Sequence, residues 1–395
     1  MKLDKNKKYI IGVSGGPDSM YLLEFLKKEQ IKNVIVCHVN YHYRKESNYD
    51  QKIVEDYCAI NDLKLKVLNV DQDYKKLNSN FESWAREVRY NFFLKIAKEN
   101  NFENLLLGHN LNDSIETFIM QKQRNNLVSF FGIKKISKNK ILDVYRPLLN
   151  IKKSEILKFL NENKIKYALD DTNNDEKFKR NKIRKSLNEN DFELIVNEIN
   201  FKNLELNKIM NKVDSFIKSN IDKESLNLNQ NLQTSELDFI QRCIFEWLKR
   251  IKKDFLIYNR SNKTLNEIAK KIKLSNKAFW EIQIENFIIF KDYNKLKIIN
   301  KNLKTKKTVK INSEEDFKKI FFFINYKEIV GVIKRDGLLF PYVVTNDYNY
   351  YKTRTKVGNK KTNRFFIDKK INNYNRIAKA VVFSTKDYKI LNKIK

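Results

Sequence analysis

The sequence predicts an α/β protein: a doubly wound, mostly parallel sheet, then a helical domain, then a small β-containing domain at the C-terminal end. Three observations predict it. Over residues 1–150 short β-rich runs alternate with helical patterns, as βαβ crossovers require. From 190 to 300 Leu, Ile and Phe recur at helical spacing, as in DFIQRCIFEWLKRI over 238–251. After 310 short apolar runs (IFFFIN, YVVT, NRFFI, AVVFST) stand between Asn, Asp and Gly and read as strands. The expected domains are 1–195, 196–305 and 306–395.

Tyr9–Val13 is a β-branched run and reads as the first strand. Met20–Lys28 (MYLLEFLKK) has the apolar spacing of an amphipathic helix. Asn33–Val39 reads as a buried strand, Asp50–Ile60 as a helix, Leu65–Val70 as the third strand and Phe81–Lys98 as a long helix. Asn104–Gly108 gives a fourth strand, Asn112 to about Lys122 a helix, and Ile141–Val144 a fifth strand. A helix follows from Ser154, whose hydroxyl is a natural cap, to about Asn163. Asp170–Asp175 is polar and reads as a loop. Doubly wound sheets bind ligands beyond the carboxyl ends of their strands, so the loops after Val13, Val39 and Gly108 should carry the chemistry.

Composition narrows the class. The 395 residues carry 79 Lys and Arg against 48 Asp and Glu, a net charge of +31. Residues 301–395 hold 24 Lys and Arg against 8 Asp and Glu, about half of that surplus. Basic surfaces bind polyanions by releasing condensed counterions, so nucleic acid is a candidate partner, although a chain this rich in Lys and Asn throughout would show many solvated lysines in any case. Three Cys without a CxxC pair exclude a disulfide scaffold, a zinc ribbon and a thiol-ligated cluster from this chain alone. His38 and His42 share a loop without matching Cys, which argues against zinc. No apolar run reaches the roughly 20 residues of a membrane span, and the N-terminus lacks a secretory pattern. A soluble, reduced, cytoplasmic protein with no membrane partner is expected.

Ser14-Gly15-Gly16-Pro17-Asp18-Ser19 follows the first strand and opens a helix. Two glycines let backbone approach a phosphate, the helix start offers unpaired N–H groups, and Ser14 and Ser19 add hydroxyl donors. Asp18 is out of place beside an anion unless it holds a metal that bridges phosphates. No GK[ST] follows, so this is not a Walker loop. The string resembles the PP-loop ATP pyrophosphatase superfamily, also described as adenine nucleotide α-hydrolase-like. Its members cleave ATP between the α and β phosphates and adenylate a substrate oxygen.

Further strings fall in order along the first domain. His38-Val39-Asn40-Tyr41-His42-Tyr43-Arg44 follows the second strand, and Glu82-Ser83-Trp84-Ala85-Arg86-Glu87-Val88-Arg89-Tyr90 lies on the next helix. Gly108 to Thr117 (GHNLNDSIET) follows the fourth strand. Arg146-Pro147-Leu148-Leu149 and Arg180-Asn181-Lys182-Ile183-Arg184 complete the set. Together they resemble the tRNA(Ile)-lysidine synthase family, which carries HVNHxLR, ExxAR-x-x-RY, HHxDDQxET, RPLL and RNxIR in that order. The C-terminal region is similar to that family's small β domain through Lys334–Gly337 and Gly358–Asp368. Tyr41 stands where the family has His, and Asn110, Asn112 and Ser114 replace His, Asp and Gln of HHxDDQ.

The resemblance implies ATP-dependent joining of free L-lysine to C2 of the wobble cytidine of tRNA(Ile) with a CAU anticodon. An adenylated cytidine is the intermediate; lysidine, AMP and pyrophosphate are the products. It implies ATP as co-substrate and Mg²⁺, held by Asp18. Ser14, Gly15, Gly16, Pro17, Asp18, Ser19, His38 and His109 would bind the nucleotide. Asp113 and Glu116 would bind the incoming lysine and accept its proton; Arg86, Arg89 and Arg184 would hold phosphates or adenylate charge. The alternative is cytidine 2-thiolation, and a homodimer stays open.

Overall fold

The computed structural model describes residues 2–43, 46–71, 81–124, 127–169, 179–258, 263–301, 305–369, 371, 376 and 379–394. Arg44 and the Asp170–Asp175 loop of the sequence reading lie outside them. The chain divides into two compact units, Met1–Asn207 and Lys208–Lys395.

The first unit alternates as expected: β1 (Tyr9–Gly12), α1 (Pro17–Lys28), β2 (Val34–Asn40), α2 (Ser47–Ile60), β3 (Lys64–Asn69), α3 (Phe81–Asn100), β4 (Asn104–Leu107), α4 (Leu111–Arg124), β5 (Ile136–Asn139), β6 (Leu142–Tyr145), α5 (Lys153–Glu162) and α6 (Lys179–Ser186). The start of α7 (Phe192–Asn220) closes the unit. The sheet order is β3-β2-β1-β4-β6-β5. All neighbours are parallel except β5, which runs antiparallel to β6. The order reverses between β1 and β4, and a crevice opens beyond the strand ends there.

Successive strand residues point to opposite faces. Ile11, Val36 and Leu106 join Leu22, Leu26, Val54, Ile156 and Leu160 of α1, α2 and α5 in one core. Ile10, Ile35 and Leu105 join Tyr90, Phe93, Leu94 and Ala97 of α3 in the other. Burying each of these side chains stabilises by about 1.5–3 kcal/mol before chain entropy is counted. β5 was absent from the sequence reading because ISKN carries a single large apolar residue, Ile136, which is exposed. α5 begins one residue before Ser154 with Lys152 as its cap residue, because the Ser154 hydroxyl is engaged by Glu189 instead.

The second unit continues α7 and adds β7 (Ile221–Asp222), β8 (Ser225–Asn227), α8 (Gln230–Thr234), α9 (Leu237–Arg250), α10 (Phe255–Tyr258), α11 (Lys263–Leu274), β9 (Phe279–Ile284), β10 (Phe287–Asp292) and β11 (Lys295–Asn300). The helical reading therefore holds to Leu274 apart from the short strands β7 and β8, and fails over 279–300. There β9 alternates in burial with period two while β10 is buried on both faces, and two-residue turns beginning at left-handed Glu285 (φ 51°) and Tyr293 (φ 53°) return the chain as a meander. The sheet order is β7-β8-β11-β10-β9.

After it come β12 (Thr308–Ile311), α12 (Tyr326–Arg335), β13 (Tyr342–Thr345), α13 (Tyr348–Tyr351), β14 (Lys356–Val357), β15 (Lys360–Lys361), α14 (Thr362–Asp368) and β16 (Val381–Ser384), with β12-β13-β16 as a three-stranded sheet. YVVT and AVVFST are strands as expected. NRFFI is not: it lies in α14, where Thr362 and Phe366, four apart, carry the burial. IFFFIN is not either: Ile320 and Phe323 are buried three apart while Phe321 and Phe322 face out, the spacing of a tight helical turn. Aromatic strand propensity misled in both places. Among the described residues no helix is long and apolar enough to cross a membrane.

Candidate active site

The loop between β1 and α1 is built by its glycines. Gly15 has φ 88°, and a Cβ there would stand 2.9 Å from the Asp50 carbonyl oxygen. Gly16 caps α1 in extended backbone and Pro17 takes the first turn, where a missing N–H costs nothing. Ser19 Oγ accepts from the Ser14 N–H at 3.2 Å and donates to the Gly16 carbonyl at 2.9 Å, so the loop is braced before any ligand arrives. Gly108, at the end of β4, lets the neighbouring turn close in: a Cβ there would lie 2.8 Å from the Asp18 carbonyl oxygen. Gly108→Ala is therefore expected to push the first turn of α1 out of place and weaken ATP binding at least about tenfold, read by equilibrium dialysis. Unchanged affinity would show that the approach of these two turns does not shape the cradle.

A cavity of about 250 Å³ opens over this loop at the switch point. Ser14, Asp18 and Ser19 line one side; Arg86, Arg89, His109 and Asp113 line others, with Tyr41, Cys37 and Val39 from the end of β2 and the loop after it. Of the predicted residues the structure thus brings Ser14, Asp18, Ser19, Arg86, Arg89, His109 and Asp113 to one cavity, whereas Gly15, Gly16, Pro17, His38, Glu116 and Arg184 do not line it.

Asp18 is held rather than free. Its Oδ1 accepts from Lys153 Nζ at 2.7 Å and from Asn110 Nδ2 at 2.9 Å. Lys153 opens α5, and its backbone N–H is fixed by Asn112 Oδ1 at 3.0 Å. Asn110 and Asp113 cap α4 reciprocally, each side chain accepting the other's backbone N–H at 3.0 Å. Three helix N-termini, with their positive dipole ends, are therefore drawn together around Asp18. Among the described residues no three His, Cys, Asp or Glu gather as a preformed metal site. One carboxylate in a phosphate cradle suits a magnesium ion that arrives on the triphosphate and keeps most of its water.

Asp113, linked to Asp18 through Asn110, pairs its Oδ1 with Arg180 at 2.7 Å. Burial lifts the Asp113 carboxyl above the ordinary carboxylate range, against the pull of Arg180. Glu116, one helical turn on, is 1% exposed and does not border the cavity. Its oxygens take Arg180 Nε at 2.6 Å and Arg184 Nε at 2.8 Å. Arg86 lies over Tyr90, 4.6 Å from the ring centre, and reaches its hydroxyl at 3.3 Å.

The two histidines are neutral supports. His38 Nδ1 donates to the Val13 carbonyl at 3.0 Å, and burial lowers its pKa. It fixes the end of β1 and is not among the residues bordering the cavity. His109 is pushed down to about 3 by burial, then by Arg146, Arg180, Arg86 and Arg89. Any stability its neutral form confers is present above the ordinary histidine value and is lost as pH falls toward 3, because the unfolded chain then binds the proton more readily. Histidine NMR should show His109 neutral throughout pH 5–8; a midpoint near 6.5 would contradict this burial.

Sequence reasoning missed Lys153, one basic residue among 79 with no local signal. It also treated Asn110, Asn112 and Ser114 as losses. Each is hydrogen-bonded: Asn110 to Asp18, Asn112 to the Lys153 backbone, and Ser114 Oγ as acceptor for the Ile133 N–H at 3.1 Å. The side chain of Arg146, the first residue of RPLL, is spent on the Lys134 carbonyl and Ser137, which pins the β5 region.

A braced anion cradle at the switch point of a 3-2-1-4 sheet defines a nucleotide-cleaving α/β domain of the PP-loop class, and residues 1–191 match the family described as PP-loop domain. The likeness extends beyond that domain. The chain is 50% identical over 397 residues to tRNA(Ile)-lysidine synthase of Mesoplasma florum, covering all of this chain and 99% of that protein. It is 50% identical over 394 residues to tRNA(Ile)-lysidine synthase of Mycoplasma mycoides subsp. mycoides SC, covering all of this chain and 98% of that protein. The chain belongs to the tRNA(Ile)-lysidine synthase family. Among solved structures, the U34-tRNA thiolase NcsA from Methanococcus maripaludis overlaps 42% of this chain and 59% of its own, at 22% identity and a TM-score of 0.37.

Proposed function

We propose that this chain adenylates the C2 oxygen of the wobble cytidine in tRNA(Ile) bearing a CAU anticodon and replaces the adenylate by free L-lysine. The observation that carries this reading is one cavity lined by an anion cradle, a buried carboxylate and guanidinium groups. In the first step the cytidine O2 attacks the α-phosphorus of ATP, and the α–β bridging oxygen leaves with pyrophosphate. In the second, the lysine ε-amine attacks C2, the C2–O2 bond breaks, and AMP departs carrying that oxygen. The amine's protons must go to a base.

Ser14, Ser19 and the backbone N–H groups of Gly15 and Gly16 support the phosphates, with Pro17 fixing the turn into the helix and His38 and His109 shaping the pocket behind them. Asp18 would supply a ligand to magnesium, which would offset phosphate charge. Lys153, 2.7 Å from Asp18, would offset phosphate charge beside it. Arg86 and Arg89 face the cavity as partners for phosphate or adenylate charge. Asp113 is the acceptor we assign to the ammonium and its proton. Glu116, enclosed by Arg180 and Arg184, is assigned to holding those guanidinium groups rather than to contact with lysine.

Thiolation fits this chain less well. Cys37, Cys58 and Cys243 are buried thiols whose pKa values burial raises to about 12, 11 and 12, so none is poised to carry sulfur. The parts beyond the first unit would bind tRNA. Within the second unit the five-stranded sheet ends at Asn300 and the three-stranded sheet begins at Thr308, which supports a division near 305 into 196–305 and 306–395. The 1–195 boundary lies near the start of α7.

ATP–pyrophosphate exchange stimulated by tRNA, followed by incorporation of labelled lysine, tests the reading. Exchange without lysine incorporation would leave an adenylating enzyme with a different nucleophile. No exchange with lysine-specific RNA product would overturn the adenylate route.

A further inference from the structure

We propose that the aromatic rings at the cavity mouth form a platform on which a nucleobase next to the wobble cytidine stacks when that cytidine enters the cavity. The inference rests on the proposed function and names how the same site would select single-stranded loop RNA. Tyr41 and Tyr43, just after β2, meet Phe81 and Trp84 in the first turn of α3. Tyr43 stacks on Phe81 with ring centres 4.3 Å apart and planes 18° apart. Tyr41 is 5.9 Å from Phe81 and 5.8 Å from Trp84, and Phe81 is 5.8 Å from Trp84.

The platform is fixed at its inner edge and partly exposed at its outer one. The Tyr41 hydroxyl donates to the Ala85 carbonyl at 2.7 Å, and Tyr41 also borders the cavity. His42 between the two tyrosines adopts φ 48°, with its N–H held by Asn40 Oδ1 at 2.9 Å. Tyr43 nevertheless leaves 44% of its surface exposed, more than bracing of β2 against α3 requires. Arg86 and Arg89, both exposed and facing the cavity, sit one to two turns further along α3. Rings beside guanidinium groups, at the entrance to a cavity that accepts one base, are the equipment for single-stranded RNA. Drawing one base out of a loop unstacks its neighbours, and an aromatic face restores that contact.

The test is binding of a CAU anticodon stem-loop RNA to the full chain, with ATP affinity measured separately by dialysis. Tyr43→Ala should weaken stem-loop binding about tenfold and leave ATP affinity within about twofold; Tyr43→Phe should bind as the native chain does. A stem-loop abasic beside the cytidine should bind the native chain about tenfold more weakly, yet bind Tyr43→Ala no worse than the intact RNA does. Equal losses from the abasic site in both chains would overturn the platform. So would a fall in ATP affinity matching that for RNA, which would assign the rings to adenine. If the native chain does not bind the stem-loop at all, the proposed function fails instead. Intact binding by Tyr43→Ala sinks the platform alone.

Discussion

Asp113→Asn should lower lysine incorporation by about 10²–10⁴-fold while the chain stays folded, the range spanned by loss of a positioned acid–base group. Two properties of Asp113 lead there. It faces the cavity beside Asp18 and the arginines, and burial raises its pKa against the pull of Arg180. A raised carboxyl is a better proton acceptor than an ordinary one, as removal of an ammonium proton requires. The same shift fixes the stability effect. The folded chain holds the Asp113 proton more tightly than the unfolded chain, so this contribution is greatest below the ordinary carboxylate range. It drains as pH rises from the unfolded pKa through the raised folded one. The ionised form of Asp113 is thus a cost that Arg180 offsets in part. Removing the charge should leave the unfolding temperature near its native value, because the reciprocal cap with Asn110 can persist through the amide oxygen. Full lysine incorporation by the variant would remove Asp113 from the proton-transfer account.

The second large effect is on stability. Glu116 is 1% exposed, and Arg180 and Arg184 reach it from α6. Replacing both arginines by Met strands a buried carboxylate, a change that costs about 3–5 kcal/mol where a buried pair loses its cation. For a unit of this size that is a fall of roughly 10 °C in its unfolding temperature. Replacing Glu116 by Leu in the same chain should recover much of the fall, since the carboxylate enclosed by both arginines is then gone and only Asp113 has lost its Arg180 partner. The arginines alone, 44% and 40% exposed, can turn to water. If the triple variant is no more stable than the double, the penalty does not come from the stranded charge.

The parts of the molecule legible in the sequence were those with a local physical cause. Short apolar runs marked β1 to β4 and helical spacing marked α1 to α4 within a few residues, and the placement of ligand loops after β1, β2 and β4 followed from sheet topology. The cradle was legible because Gly15 announces left-handed backbone that other residues rarely adopt, and Gly16-Pro17 announces a helix start. What was not legible depends on contacts distant in sequence. Lys153 meets Asp18 across 135 positions, and Arg184 meets Glu116 across 68. Glu116 looked like an exposed first-turn acid and is enclosed. The meander at 279–300 hid because Ile and Phe serve either period, and its turns use Glu285 and Tyr293 where glycine would have signalled them.

Oxygen tracing tests the central claim most directly. A stem-loop or tRNA carrying ¹⁸O at C2 of the wobble cytidine is converted with ATP and lysine, and the AMP is weighed. The account predicts one ¹⁸O in each AMP formed, because the C2 oxygen leaves on phosphorus. AMP without label, alongside lysidine-containing RNA, would contradict it.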